Sequence, residues 1–336
     1  MSRQCSRHLV MLGAVLAGCT GPQVVSQSHR VVTPRLEQAA AVASDGYRLP
    51  IRRWDGAERP TTLVLGLHGF NDYSRALAPL AEHLRDQGIT TYAVDQRGFG
   101  ATAQFGRWHG APRMAQDLRE LIALLRARHP GTRLLVAGES MGGAVAMLAA
   151  AQGPLDIDGL VLIAPAVWSR DSMPWYQRLA LSAAVRTVPW LRLTGDGLPI
   201  RPTDNPAELR AMSEDPLVIK GTRVDALWGV TELMDAARGQ VLGRGQPVLL
   251  LYGRHDQIIP ANAFCKLLSE LPAEPSGLRL IIYRQGWHLL PRDLQGLRVR
   301  RDIAAWVLDP DAPLPSGEET AIGGTDCPRQ GARIHP

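Results

Sequence analysis

A chain of 336 residues has room for one large α/β domain with an insertion, or for two small domains. Its 45% hydrophobic and 21% charged residues argue for a packed globular protein and against a disordered one. The net charge of +5 sits almost wholly on arginines, which are scattered and interleaved with acids as in Arg119-Glu120 and Arg301-Asp302; this argues against nucleic acid as a partner, because such a site needs a clustered basic stripe.

The N-terminus reads as a targeting segment. Arg3 and Arg7 precede an apolar run from Leu9 to Leu16, which ends in Ala17-Gly18-Cys19, the pattern of a secretory signal. The run is about half of the ~20 residues that a membrane-spanning helix needs, which disfavours a retained anchor. Leu16-Ala17-Gly18-Cys19 resembles a bacterial lipobox. The resemblance implies that residues 1–18 are a lipoprotein signal peptide, that cleavage falls before Cys19, and that Cys19 then carries a lipid anchor in the membrane. By analogy with Gram-negative lipoproteins, Thr20 in the next position implies the outer membrane, facing the periplasm. A plain secretory signal with an incidental cysteine is the alternative.

Residues 19–44 are polar and without strong period, and read as a tether. From Tyr47 the pattern changes. Tyr47–Trp54 and Thr61–Leu67 read as strands, with Asp55-Gly56 and Pro60 marking the turn between them. Ser74–Gln87 has helical spacing at Leu77, Leu80, Ala81 and Leu84; Thr90–Val94 is a strand; Met114–Arg128 is an amphipathic helix. Leu134–Ala137 (strand), Met141–Ala151 (helix of small residues) and Leu160–Ile163 (strand) follow. Strand and helix in alternation predict a mostly parallel central sheet flanked by helices, over a first core segment at 45–164.

The alternation breaks at residues 165–240, which hold many prolines, Trp168, Trp175 and Trp190, short helical pieces and no strong strand: an insertion in the sheet. A second core segment at 241–309 follows, with strands Val248–Tyr252 and Leu278–Tyr283, a helix Ala261–Leu271 between them and a last helix over Leu294–Val307. Residues 310–336, rich in Pro, Gly and charge, read as a loose tail. Cys5, Cys19, Cys265 and Cys327 match no zinc or redox spacing. A disulfide between Cys265 and Cys327 is permitted and left open.

Gly138-Glu139-Ser140-Met141-Gly142 is a G-x-S-x-G sequence lying directly after a predicted strand and at the start of a helix. A strand that turns at once into a helix strains its turn residue, and Gly138 and Gly142 remove the side chains that would collide there. Ser140 is thereby the candidate nucleophile, and the Met141 amide, at the helix N-terminus, a candidate oxyanion donor. The loop after the strand Thr61–Leu67, His68-Gly69-Phe70, is placed to supply the second donor, the backbone N–H of Phe70. Asp256 and His288 each follow a strand, and the order Ser, Asp, His is that of a hydrolase triad, with His288 the base and Asp256 its acid.

Other residues compete for these roles. His68 reads as a loop-ordering residue, His255 as a loop residue beside Asp256, and Asp293 as a weaker rival for the acid. In Asp95-Gln96-Arg97-Gly98-Phe99-Gly100 the glycines read as allowing a tight loop, with Asp95 and Arg97 bonding the backbone around it. No phosphate-loop sequence or metal-ligand cluster appears, so no cofactor and no metal are expected.

Taken together, His68-Gly69-Phe70, the Asp95–Gly100 loop, Gly138-Glu139-Ser140-Met141-Gly142, Asp215-Pro216-Leu217-Val218, Asp256 and His288 resemble the monoacylglycerol lipase and lysophospholipase family of α/β-hydrolases, which is related to serine aminopeptidases. The resemblance spans most of residues 45–307. It implies that 165–240 is a helical cap shaping an acyl tunnel, and that the chain cleaves carboxylic esters of monoacyl lipids through an acyl-enzyme. The segments around Met173-Pro174-Trp175 and Val188-Pro189-Trp190 depart from the family pattern. Two alternatives stay open: the same triad acting on a peptide or other amide bond, and a non-catalytic surface scaffold.

Overall fold

The computed structural model describes residues 21–26, 28, 30–195, 197–238, 246–272, 275–321 and 327. The proposed signal peptide and Cys19 lie outside them. In chain order, strands β1 (Arg35–Leu36), β2 (Ala40–Val42), β3 (Arg48–Trp54) and β4 (Thr62–Leu67) lead to helix α1 (Ala78–Asp86). Strand β5 (Thr90–Val94), helix α2 (Ala111–Arg128), β6 (Arg133–Glu139), α3 (Met141–Ala151) and β7 (Gly159–Ile163) complete the first half. Then come α4 (Trp175–Thr187), β8 (Arg192–Thr194), α5 (Pro206–Glu214), β9 (Gly221–Arg223) and α6 (Val224–Arg238). The chain closes with β10 (Val248–Gly253), α7 (Ala261–Ser269), β11 (Leu278–Tyr283), α8 (Gly296–Leu308) and β12 (Glu319–Thr320).

Among the described residues, ten strands form one sheet in the order β1-β2-β3-β5-β4-β6-β7-β10-β11-β12. The six strands from β5 to β11 run parallel, and the outer strands pair antiparallel. Their continuous apolar runs follow from burial on both faces. Alternate residues feed two separate cores: Leu63, Leu65 and Leu67 with Leu134 and Val136 on one side, Val64 with Leu135 and Ala137 on the other. The first core is closed by α2, α3, α6 and α7, the second by α1 and α8. Trp306 of α8 is fully buried in the second core. The chain goes from β4 to β5 on one side and returns to β6 on the other, so the sheet's switch point lies between β4 and β6, where α/β proteins open a crevice at the carboxyl ends of their strands.

Three boundaries differ from the sequence reading. The stretch taken as a tether contains β1 and β2, and Ala40–Ala43 are buried against the sheet. Alanine carries no strand signal, so its burial was invisible to pattern. The insertion ends earlier than residue 240: α6 sends Val230, Leu233, Met234 and Ala237 into the main core and belongs to the α/β layer. Between β7 and α6 the chain thus inserts α4, α5 and the antiparallel pair β8–β9, a strand pair that the sequence did not signal. The tail is not loose throughout, since Leu314 is buried, β12 pairs with β11, and Cys327 is joined to Cys265 with Cα atoms 5.7 Å apart.

Candidate active site

Ser140 sits between β6 and α3 with φ 51° and ψ −113°, a region that L-residues avoid and that persists only where surroundings enforce it. Its N–H donates to Ile163 O at 2.9 Å and its carbonyl accepts from Ala166 N at 2.9 Å, so the neighbouring strand β7 holds the turn. The flanking glycines are required by close approach. A Cβ on Gly138 would lie 2.6 Å from the Gly142 carbonyl carbon, and one on Gly142 would lie 2.4 Å from Leu67 O. The Met141 N–H opens α3, where no preceding turn supplies an acceptor.

The loop after β4 passes directly over this turn. The Cβ position of Gly69 lies 3.3 Å from Ser140 Cβ. Phe70 is packed edge-on against Phe99 and Trp108, with ring centroids at 5.6 and 6.4 Å, which fixes the backbone whose N–H is the second candidate donor. His68 is fully buried; its Nε2 accepts from Gln96 N at 2.9 Å, which leaves Nδ1–H to donate to Gly69 O at 2.7 Å. Burial pushes its pKa down, so it stays neutral and orders the loop.

His288 and Asp256 meet at the carboxyl ends of β11 and β10. His288 Nδ1–H donates to Asp256 Oδ2 at 2.7 Å, while Asp256 Oδ1 accepts from Ile258 N and Ile259 N at 2.8 and 2.9 Å. Both side chains are buried. The carboxylate is therefore fixed in orientation and sets the tautomer that leaves Nε2 free to take a proton. Burial alone would lower the histidine's pKa; the charge and hydrogen bond of Asp256, helped by Glu139, outweigh it and raise the pKa above the usual value.

Asp293 does not take the acid's place. It accepts from Thr203 Oγ1 and from Trp287 N, both at 2.7 Å, and burial pushes its carboxyl up to about 6. His255 stacks obliquely on Trp287 with centroids 5.7 Å apart. In the Asp95–Gly100 loop, Asp95 accepts from Ser74 N and Ala101 N at 2.9 Å, as expected. Arg97 instead binds the carboxylates of Asp45 and Asp117, a buried ionic tie between the loop, the β2–β3 turn and α2. Among the described residues no group of three or more His, Cys, Asp or Glu is arranged to hold a metal ion.

Sequence reasoning missed a second buried cluster beside the site. Arg292, four residues after His288, donates to Asp72, Glu139 and Glu208. Its partners lie far away in sequence and form no motif; the one local signal was a glutamate inside a turn that had to be buried, which demands a cation.

A six-stranded parallel core, a strained serine at the switch point and a buried Asp–His pair on adjacent strands define the α/β-hydrolase class. Residues 58–295 match the family described as serine aminopeptidase, S33. The chain belongs to that family. It is 24% identical over 276 residues to the monoacylglycerol lipase of Mycolicibacterium smegmatis, covering 78% of this chain and 94% of that protein. To the monoglyceride lipase of Homo sapiens it is 28% identical over 303 residues, covering 85% and 92%. The crystal structure of Paleococcus ferrophilus monoacylglycerol lipase superposes with a TM-score of 0.64 at 24% identity, over 77% of this chain and 98% of that one. A lipase solved in an open form superposes at 0.66 with 19% identity, over 81% and 97%.

Proposed function

We propose that this chain hydrolyses the carboxylic ester of monoacyl lipids, as a monoacylglycerol lipase or lysophospholipase does, with Ser140, His288 and Asp256 as its triad. The observation that carries the reading is the buried Asp256–His288 pair at the same carboxyl end of the parallel strands as the strained Ser140 turn. His288 Nε2 takes the proton of Ser140 Oγ as that oxygen attacks the ester carbonyl. The tetrahedral oxyanion is held by the Phe70 and Met141 amides, and His288 gives its proton to the departing alcohol. Water, activated by the same imidazole, then releases the fatty acid. No cofactor enters any step.

The substrate class is supported by the relatives named monoacylglycerol and monoglyceride lipase and by the cap, whose Trp175, Tyr176, Leu179 and Trp190 are exposed. Such a face suits a substrate drawn from a bilayer. The family's description also names an aminopeptidase, so the discriminating experiment compares release of fatty acid from monoacylglycerol with release of amine from aminoacyl arylamides. The reading requires the ester to turn over and the arylamide to remain intact; the reverse result transfers the triad to amide chemistry.

The chain is further proposed to act in the bacterial cell envelope, held through a lipid on Cys19 at the periplasmic side of the outer membrane. The Cys265–Cys327 disulfide suits an oxidising compartment. Metabolic labelling with a palmitate analogue should mark the wild type and fail in Cys19→Ala; equal labelling of both would remove the anchor.

A further inference from the structure

The cluster around Arg292 joins four parts of the chain that the triad needs in one geometry. The arginine side chain is 3% exposed. Nη1 donates to Asp72 Oδ2 at 2.8 Å and to Glu208 Oε1 at 3.0 Å, and Nη2 donates to Glu139 Oε1 at 3.0 Å. Glu139 immediately precedes Ser140, Asp72 lies two residues beyond Phe70, Glu208 belongs to α5 of the cap, and Arg292 itself follows His288 on the same loop. The segment entering α5 is stitched to that loop by further bonds. His288 N and Leu289 N donate to Pro202 O at 3.1 and 3.0 Å, and Asn205 Nδ2 donates to Arg292 O at 2.9 Å.

A buried carboxylate next to a nucleophile is costly unless a cation answers it. Glu139 is 1% exposed, and burial raises its pKa against the pull of Arg292. A neutral side chain would fill the same space without that cost, so the ionic contact has a positional use. Three acceptors on three different segments are met by one planar guanidinium whose N–H directions are fixed, a task that a lysine's single ammonium cannot reproduce.

We propose that Arg292 is a positioning residue for the hydrolysis: it holds the nucleophile turn, through Glu139, and the oxyanion loop, through Asp72, in register with the histidine loop, and fixes cap helix α5 to the same assembly through Glu208. The proposal rests on the assignment of Ser140 and His288 made above. It divides the cap into a half that is tied to the catalytic loops, around α5, and a half that is not tied to Arg292, around α4.

The groups that set the charge of His288 are Asp256 on the β10 loop, Glu139 at the end of β6 and Arg292 on its own loop, with Asp72 and Glu208 around the arginine and Asp293 next to it in the chain. Glu139 favours the imidazolium and Arg292 opposes it. The test uses the full-length chain carrying Arg292→Lys or Glu139→Gln, with rates expressed per active site titrated by a fluorophosphonate, so that lost folding is not counted as lost catalysis. Arg292→Lys keeps the charge and loses the fork: kcat per titrated site should fall by about 10- to 100-fold, the scale of a small misplacement of reacting groups, with the acid limb of the pH profile in place. Glu139→Gln should lower kcat and move the acid limb to lower pH, because a charge favouring the imidazolium has gone. Wild-type kcat per site in both variants, or an unmoved acid limb in Glu139→Gln, overturns the proposal. If Arg292→Lys does not fold, Glu139→Gln decides alone. A wild type that neither labels nor turns over ester would instead remove the triad assignment beneath it.

Discussion

Asp256 spends one carboxylate oxygen on His288 Nδ1, at 2.7 Å, and the other on the two backbone amides of Ile258 and Ile259. The carboxylate is thus oriented before any substrate arrives, and it holds His288 in a single tautomer.

Asp256→Asn keeps the size of the side chain but turns a donor toward Nδ1 and favours the wrong tautomer. Loss of kcat by about 10⁴-fold is expected, on the scale of the same change in other Ser-His-Asp sites. Steady-state ester hydrolysis with a circular dichroism check of folding measures it.

The pH profile follows from the sign of the His288 shift. The base must be neutral to accept the serine proton, and its pKa is raised: burial lowers it, but Asp256 and Glu139 more than compensate. Activity is therefore present above that raised value and lost as pH falls through it. The acid limb of kcat/KM should lie above the ordinary imidazole value of about 6.5; a limb below it contradicts the electrostatics described.

Gly142→Ala places a methyl 2.4 Å from Leu67 O, a backbone atom that cannot swing away. The nucleophile turn must then shift against β4. Overpacking of this kind costs about 1–3 kcal/mol, and displacement of Ser140 should cost about 10²-fold in kcat. Thermal melts and rates per titrated site separate the two effects.

The disulfide joins Cys327 to Cys265 of α7, closing a loop with a sequence separation of 62. Reduction, or Cys265→Ser, should remove about 2–4 kcal/mol of stability and lower the melting temperature, with kcat of the folded fraction unchanged. An identical melt with and without reductant would show that the bond contributes nothing.

The parallel strands were legible because each is buried on both faces and reads as an unbroken apolar run, as Val248–Tyr252 and Leu278–Tyr283 do. Ser140 stood out because a serine between glycines, at a strand-to-helix turn, has a geometric cause that local sequence can state. The edge strands did not stand out. Arg35–Leu36 and Glu319–Thr320 are two residues long, and Ala40–Val42 is marked by burial of alanines rather than by pattern. Helix α6 reads as part of the insertion because nothing in its own sequence says which neighbour it packs on. Arg292 was hidden for a related reason: its ties to Glu139 and Asp72 span 153 and 220 residues, and it looks like any other arginine in a chain full of them.

The central claim, that Ser140 opens a lipid ester, is tested most directly on the purified mature protein and its Ser140→Ala variant. Both are treated with a fluorescent fluorophosphonate while fatty-acid release from a monoacylglycerol is followed. Labelling and release in the wild type, both absent in the folded variant, are the predicted result. Release that persists in Ser140→Ala would contradict it and place the nucleophile elsewhere.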